Sequence, residues 1–154
     1  MGSKLASEIR QNKPFALPEE EALLNIVRTH EFISQRQLEF FKRYRLTPTQ
    51  YNVLRILRGA GKDGVTCSEC SERMVTSDPD ITRLLDRLEA RGLLRRERST
   101  QDRRVVLSSI TAEGLKLLES IDRPLAELTK RIMGKVSRKK LAEMVEILES
   151  IREE

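Results

Sequence analysis

The alternation of apolar and polar positions predicts long helices towards both ends of the chain and a mixed helix-and-strand segment between them. From Pro18 onward Leu23, Ile26, Val27, His30, Ile33, Leu38 and Phe41 recur at roughly helical spacing. Pro18 with Glu19, Glu20 and Glu21 suits the positive end of that helix, and the run KRYR places cations at its negative end. LTPTQYNVLRIL predicts a second helix, with Thr47 as N-cap, Pro48 at the first position and Gln50 completing a capping box. RGAGKDG ends it, because no apolar period survives among the glycines. VTCSECSERM predicts a short strand entering a short helix. VTSDPDITRLLDRLEARG predicts a turn and a longer helix, from about Asp78 to Arg91, with Ser77 as N-cap, Asp80 three residues on and Gly92 as the stop. LLRRERS and RRVVLSSIT predict two strands around a turn at Ser99–Asp102. Thr111 caps a further helix, in which Leu118, Ile121, Leu125, Leu128 and Ile132 step by three and four, a heptad-like stripe. Pro124 inside it predicts a kink and Gly134 its end. Ser137 caps a last helix, where Leu141, Met144, Leu148 and Ile151 repeat the stripe.

Helix, strand, helix, turn, helix, strand, strand is the order of a helix-turn-helix followed by a β-hairpin, which is a winged helix. The expected fold class is therefore mainly α with a small β-hairpin, a winged helix-turn-helix with further helices on both sides. Residues 1–17 read as a polar arm and 18–154 as a single unit, with the winged-helix lobe at about 46–110 and flanking helices in 18–45 and 111–154.

Composition narrows the class. A chain of 154 residues suits one domain and can bury a core without disulfides or metals. Aromatics are 4% and charged residues 34%, which favours a helix-rich protein with a charged surface. No run approaches the length of a membrane span, and MGSKLASEIRQ lacks the apolar core of a signal peptide. Ala6 stands where a myristoylation pattern needs Ser or Thr. Two cysteines do not make a secreted disulfide framework, so a cytoplasmic protein is expected.

A net charge of +5 permits an anionic partner, and its distribution sharpens the point. Between Arg83 and Arg104 lie eight arginines and four acids, a net of +4. On the predicted second helix of the helix-turn-helix, Ile81, Leu84, Leu85 and Leu88 form the inward face, leaving Thr82, Arg83, Asp86 and Arg87 outward. Arg83 and Arg87 are four apart and can meet one DNA strand, or pair with Asp80, Asp86 or Glu89 of their own helix. A positive helix beside a positive hairpin makes a plausible phosphate-binding surface.

These residues also carry a family resemblance. The stretch DITRLLDRLEARGLLRRERSTQDRRVVLSSITAEG, Asp80 to Gly114, resembles the heart of the MarR family of bacterial transcriptional regulators. Its most specific element is the wing pattern of Asp102, Arg103 and Arg104 followed by Ile110, Thr111 and Gly114. The resemblance implies a homodimer on a palindromic double-stranded DNA operator, with helices 18–45 and 111–154 serving dimerisation. Leu23, Leu118, Ile121, Leu125, Leu141, Met144, Leu148 and Ile151 are the candidate dimerisation residues. Their stripes serve packing within one chain equally well. The resemblance places Ser77, Pro79, Thr82 and Arg83 towards the major groove, and the four-residue spacing from Arg83 adds Arg87 as a DNA-binding candidate. Arg98, Arg103 and Arg104 fall on the wing, with Asp102 holding the wing arginines or pairing with a basic residue of the recognition helix. It also implies a small phenolic or anionic effector bound between the dimer helices and the reading head, for which His30 is the candidate. The chain departs from the family pattern at Asp78 and Asp80, which either cap the recognition helix or accept a hydrogen bond from a cytosine amino group. It departs again at Val75, where a turn glycine is common and positive φ would be strained.

Cys67 and Cys70 form a C-x-x-C without a βαβ context, and only His30 remains to join them as a zinc ligand, so no metal and no cofactor are expected. Burial of Cys70 as a small hydrophobe and a thiol-based redox sensor are the two readings of the pair. No nucleophile–base set and no Gly-rich phosphate loop point to an enzyme. The expected function is a dimeric, sequence-specific DNA-binding regulator, a repressor relieved by an effector. A winged helix serving protein–protein contact, or a regulator sensing oxidants through Cys67 and Cys70, are the alternatives.

Overall fold

In the computed structural model, which describes residues 3–153, the polar arm contains a short helix that the sequence pattern did not predict, α1 (Lys4–Glu8). Ser3 Oγ accepts from the Ala6 N–H at 3.3 Å and Leu5 is buried. One turn is too short to show a period. α2 (Pro18–Lys42) starts on Pro18 with Glu19, Glu20 and Glu21 in its first turn, as expected. α3 (Pro48–Ala60) starts on Pro48, and a 3-10 turn at Gly61–Asp63 follows it.

The strand expected in VTCSECSERM shrinks to one residue. Val65 exchanges two backbone hydrogen bonds with Ser108, at 2.9 and 2.8 Å, and the chain turns at once into α4 (Cys67–Glu72). Thr66 is the reason: its hydroxyl accepts from Glu69 N–H while the Glu69 carboxylate accepts from Thr66 N–H, a reciprocal cap that starts the helix. α5 (Ile81–Ala90) is shorter than expected, and its N-cap is Asp80, not Ser77. Asp78 Oδ1 accepts from Asp80 N–H at 2.8 Å, a local turn that keeps the backbone out of helix until Asp80 Oδ1 takes the Arg83 N–H at 3.2 Å. Gly92, at φ 70°, ends the helix in the left-handed region where glycine is favoured.

β1 (Leu94–Arg98) and β2 (Val106–Ile110) pair antiparallel with Arg96 opposite Ser108 and Arg98 opposite Val106. The connecting turn is longer than the Ser99–Asp102 expected: Arg103, Arg104 and Val105 precede β2 and are not part of it. α6 (Ala112–Met133) runs through Pro124 without a break in the helix, and α7 (Arg138–Ser150) is capped by Ser137, whose Oγ accepts from Lys140 N–H. The chain divides into two units, Met1–Pro48 and Thr49–Glu154, which places α6 and α7 with the winged-helix elements. In the second unit Val53, Leu54, Leu57, Cys70, Leu85, Leu88, Leu94, Leu118 and Ile121 are fully buried.

Two of the expected dimerisation residues are thereby corrected. Leu118 and Ile121 have no exposed surface in the single chain, so they are core and offer a partner nothing. Leu125, Leu141, Met144 and Leu148 are half-buried, while Leu23 and Ile151 are exposed, each at 61%. No helix among the described residues is long and apolar enough to cross a membrane.

Candidate nucleic-acid interface

The recognition helix is built by its two faces. Leu84, Leu85 and Leu88 are buried, which fixes the rotation of α5 and sends Thr82, Arg83, Asp86 and Arg87 to the exposed side. Ser77 and Pro79 are exposed in the turn that leads in, and Asp78 is half-buried there. That turn is anchored from below. The Val75 N–H donates to Asn52 Oδ1 at 2.9 Å, and Asn52 is a buried polar residue of α3 that sequence reasoning passed over. Its signal was an amide among the apolar residues of the buried side of α3, which Gln50 shares. Val75 itself is not among the positive-φ residues, so the turn uses a geometry that valine accepts. Asp80 is spent on the cap, with Arg83 Nε at 3.7 Å from its other oxygen. Capping is thus the observed role of Asp80, and Asp78 shapes the turn before it.

Arg96, left without a role by the sequence, proves to be the strut of the site. It lies on β1, opposite Ser108, with its side chain 24% exposed. Its guanidinium donates to Asp86 Oδ1 and, through two nitrogens at 3.1 and 3.3 Å, to Glu89. Both acids belong to α5, so one arginine ties the wing to the recognition helix and offsets one of the two negative charges there. Arg83 and Arg87 are consequently not paired with Asp86 or Glu89, and no described residue forms an ion pair with Arg87.

This strut titrates. The hydrogen bonds from Arg96 hold the Glu89 carboxyl below its ordinary value of 4.5. A carboxylate with a lowered folded pKa stabilises the fold fully above the unfolded value and loses that contribution as pH falls through the folded one. Unfolding free energy should therefore fall in the acid range below about pH 4.5, and Glu89→Gln should lack that portion of the loss. Parallel urea titrations of the two proteins from neutral to acid pH check this; coincident pH profiles would dismiss the strut.

The wing is closed by its own polar groups. Ser99 N–H donates to Val105 C=O at 2.8 Å and Val105 N–H to Asp102 C=O at 3.0 Å. Asp102 Oδ1 accepts from Arg104 N–H at 3.0 Å, which gives the Asp-x-Arg spacing a local cause: a side chain satisfies the N–H two residues on. Arg98 Nη1 donates to Arg103 C=O at 2.8 Å, so the exposed Arg98 braces the wing turn. Arg104 projects from this frame with its side chain 95% exposed, and Asp102 reaches its Nε at 4.0 Å. Arg103 is exposed, with no described ion-pair partner. Ordering the loop before contact lowers the entropy cost of binding.

His30 is exposed on α2, with Nε2 3.4 Å from Ser34 Oγ. A cavity of about 530 Å³ opens among Arg58, Lys62, Arg95 and Leu115, and His30 does not line it. Cys67 Sγ is 3.9 Å from Thr82 Oγ1. Cys70 is fully buried, and burial pushes its thiol up to about 11, which keeps it protonated and inert at neutral pH.

The model of the MarR family matches residues 46–106. The chain is similar to the HTH-type transcriptional regulator PapX of Escherichia coli, with 33% identity over 114 residues that span 73% of this chain and 70% of PapX. It is also similar to the crystal structure of a MarR transcription factor from Planctomyces limnophilus, at 36% identity and a TM-score of 0.69, covering 88% of this chain and 98% of that one. A mutant MarR of Escherichia coli complexed with operator DNA shares the fold at 21% identity, with a TM-score of 0.76 over 98% of this chain and 100% of that one.

Proposed function

The chain belongs to the MarR family of DNA-binding transcriptional regulators, and from that premise we propose that it is a homodimeric repressor of a palindromic operator, relieved by a small phenolic or anionic effector. Family membership makes it a regulator of transcription and not an enzyme, acting where the DNA is, in the cytoplasm. The observation that carries the reading is the pre-ordered wing, with Arg104 held out by Asp102, joined through Arg96 to a helix that exposes Thr82, Arg83 and Arg87.

Phosphate contacts would supply most of the affinity and a steep salt dependence, and the first turn of α5 would supply sequence choice. Exposed Leu23 and Ile151, with the half-buried Leu125, Leu141, Met144 and Leu148, supply apolar surface for the second copy. Two-fold symmetry then sets half-sites about 34–36 Å apart. The inert Cys70 counts against thiol sensing by the Cys67–Cys70 pair.

Arg104→Ala should weaken binding to every duplex and flatten the salt dependence by about one unit, since one phosphate contact is lost. Fluorescence anisotropy over a series of salt concentrations, on an operator found by footprinting upstream of the protein's own gene, checks it. An unchanged slope would remove Arg104 from the interface.

A further inference from the structure

The wing is not the most cationic part of the molecule. Lys130, Arg131, Lys135, Arg138, Lys139 and Lys140 fall within the eleven residues 130–140 that join α6 to α7, all are exposed, and that stretch contains no acid. Lys130 and Arg131 have a structural explanation, since they sit in the last turn of α6, where cations suit the negative helix end. Arg138, Lys139 and Lys140 do not. They are the first three residues of α7, at the positive end of that helix, where acids are favoured, and the first turn of α7 contains none. The only acid within salt-bridge reach of the six among the described residues is Glu143, 3.9 Å from Lys139. Three adjacent cations against a helix dipole oppose local stability, and such a conflict points to a use outside the fold.

The chemistry of the patch narrows the partner. The apolar neighbours Ile132, Met133 and Val136 are half-buried, and the exposed surface is cationic side chains with Gly134 and Ser137. Protein-binding hot spots are built on buried aromatic or apolar anchors, and none stands out here. A field of exposed cations without such anchors suits phosphates read regardless of sequence. α6 begins at the wing root and has 22 residues, so the patch lies about 33 Å along the helix from that root.

We propose that the α6–α7 turn is a second DNA-binding face, which takes the phosphate backbone of duplex DNA independently of sequence and apart from the winged helix. This rests on the reading of the chain as a DNA-binding regulator. A regulator seated on its operator would then hold a second duplex segment.

The test uses the full-length protein with Arg138, Lys139 and Lys140 all changed to Gln. These changes relieve the helix end, so the thermal midpoint should stay or rise, and loss of fold cannot mimic the result. Binding of a duplex of random sequence to operator-occupied protein, whose wing is already filled, should show a salt dependence flatter by about three units than in the parent protein. Operator-bound parent protein should also recruit a second, fluorescently labelled random duplex, and the triple variant should not. The variant should keep its operator footprint, whereas Arg104→Ala should weaken it, so failure of the wing and failure of this patch are separate results. An unchanged salt dependence, or recruitment that survives the three changes, overturns the proposal. So does a variant that binds DNA normally but associates more weakly with itself, which would assign the patch to the acidic first turn of α2 in a second copy.

Discussion

Replacing Gly114 by alanine should destabilise the protein by about 2–3 kcal/mol, the upper part of the roughly 1–3 kcal/mol that overpacking a fitted site costs. Gly114 is buried in the first turn of α6. A Cβ added there would lie 2.3 Å from the Leu93 carbonyl oxygen and 2.7 Å from Ile110 Cγ1. The oxygen belongs to backbone that is itself fixed, since it accepts from Thr111 N–H at 3.1 Å. Alanine is the better helix former by about 1 kcal/mol, but a contact against held backbone outweighs that. Gly59 in α3 gives the opposite sign: nothing lies within 4 Å of its added Cβ, so Gly59→Ala should stabilise by up to about 1 kcal/mol. Urea unfolding of the two variants checks both directions, and a neutral Gly114→Ala would show that α6 does not sit on the Leu93 carbonyl.

Reversing the charge of the strut, Arg96→Glu, should act on stability and on DNA together. It removes the charge-assisted hydrogen bonds to Asp86 and Glu89 and adds a third carboxylate to the same place. Such bonds contribute about 1.5–3 kcal/mol each when protected. Asp86 and Glu89 are more than a third exposed, so the discounted loss is about 2 kcal/mol in total. Operator affinity should fall by more than about tenfold, because the wing loses its tie to α5 and acids now face the phosphates. Arg96→Met keeps an apolar stem and removes the charge and its donors without adding a carboxylate, so it should fall between the two proteins in both urea unfolding and anisotropy. Parent-like affinity in Arg96→Glu would mean that the wing is placed by other contacts.

What could be read in advance follows from the range of each interaction. Thr111 and Ser137 were legible as caps because the groups they bind, Gly114 N–H and Lys140 N–H, lie three residues away. Gly92 was legible because its φ is a property of one residue. Ser77 is not the cap, because the Asp78 turn competes for the same backbone, and spacing alone does not rank two carboxylates against a hydroxyl. The role of Asn52 depends on a partner 23 residues away, and that of Arg96 on which face of a twisted hairpin meets α5. The stripe of α6 shows the same limit: periodicity marks Leu118 and Ile121 as buried but does not say by which chain. The wing motif was recognisable as a pattern, and its cause emerged only with the Asp102–Arg104 bond.

The seat of α6 also has a mechanical side. Thr111 Oγ1 donates to Gly92 C=O at 2.6 Å and accepts from Gly114 N–H, while Gly114 rests on the Leu93 carbonyl, so the helix is clamped at its base to the end of α5 and the start of the wing. The 19 residues of α6 beyond Gly114, Leu115 to Met133, make a lever arm about 29 Å long. A tilt of about 5° at the fulcrum carries the far end through about 3 Å, and in the proposed dimer a held far end would return the same swing to the reading head. Half-sites fixed about 34–36 Å apart leave little tolerance for such a swing. In the proposed dimer, the gearing between fulcrum and tip would then turn a small adjustment beside Gly114 into a change in the spacing of the two reading heads.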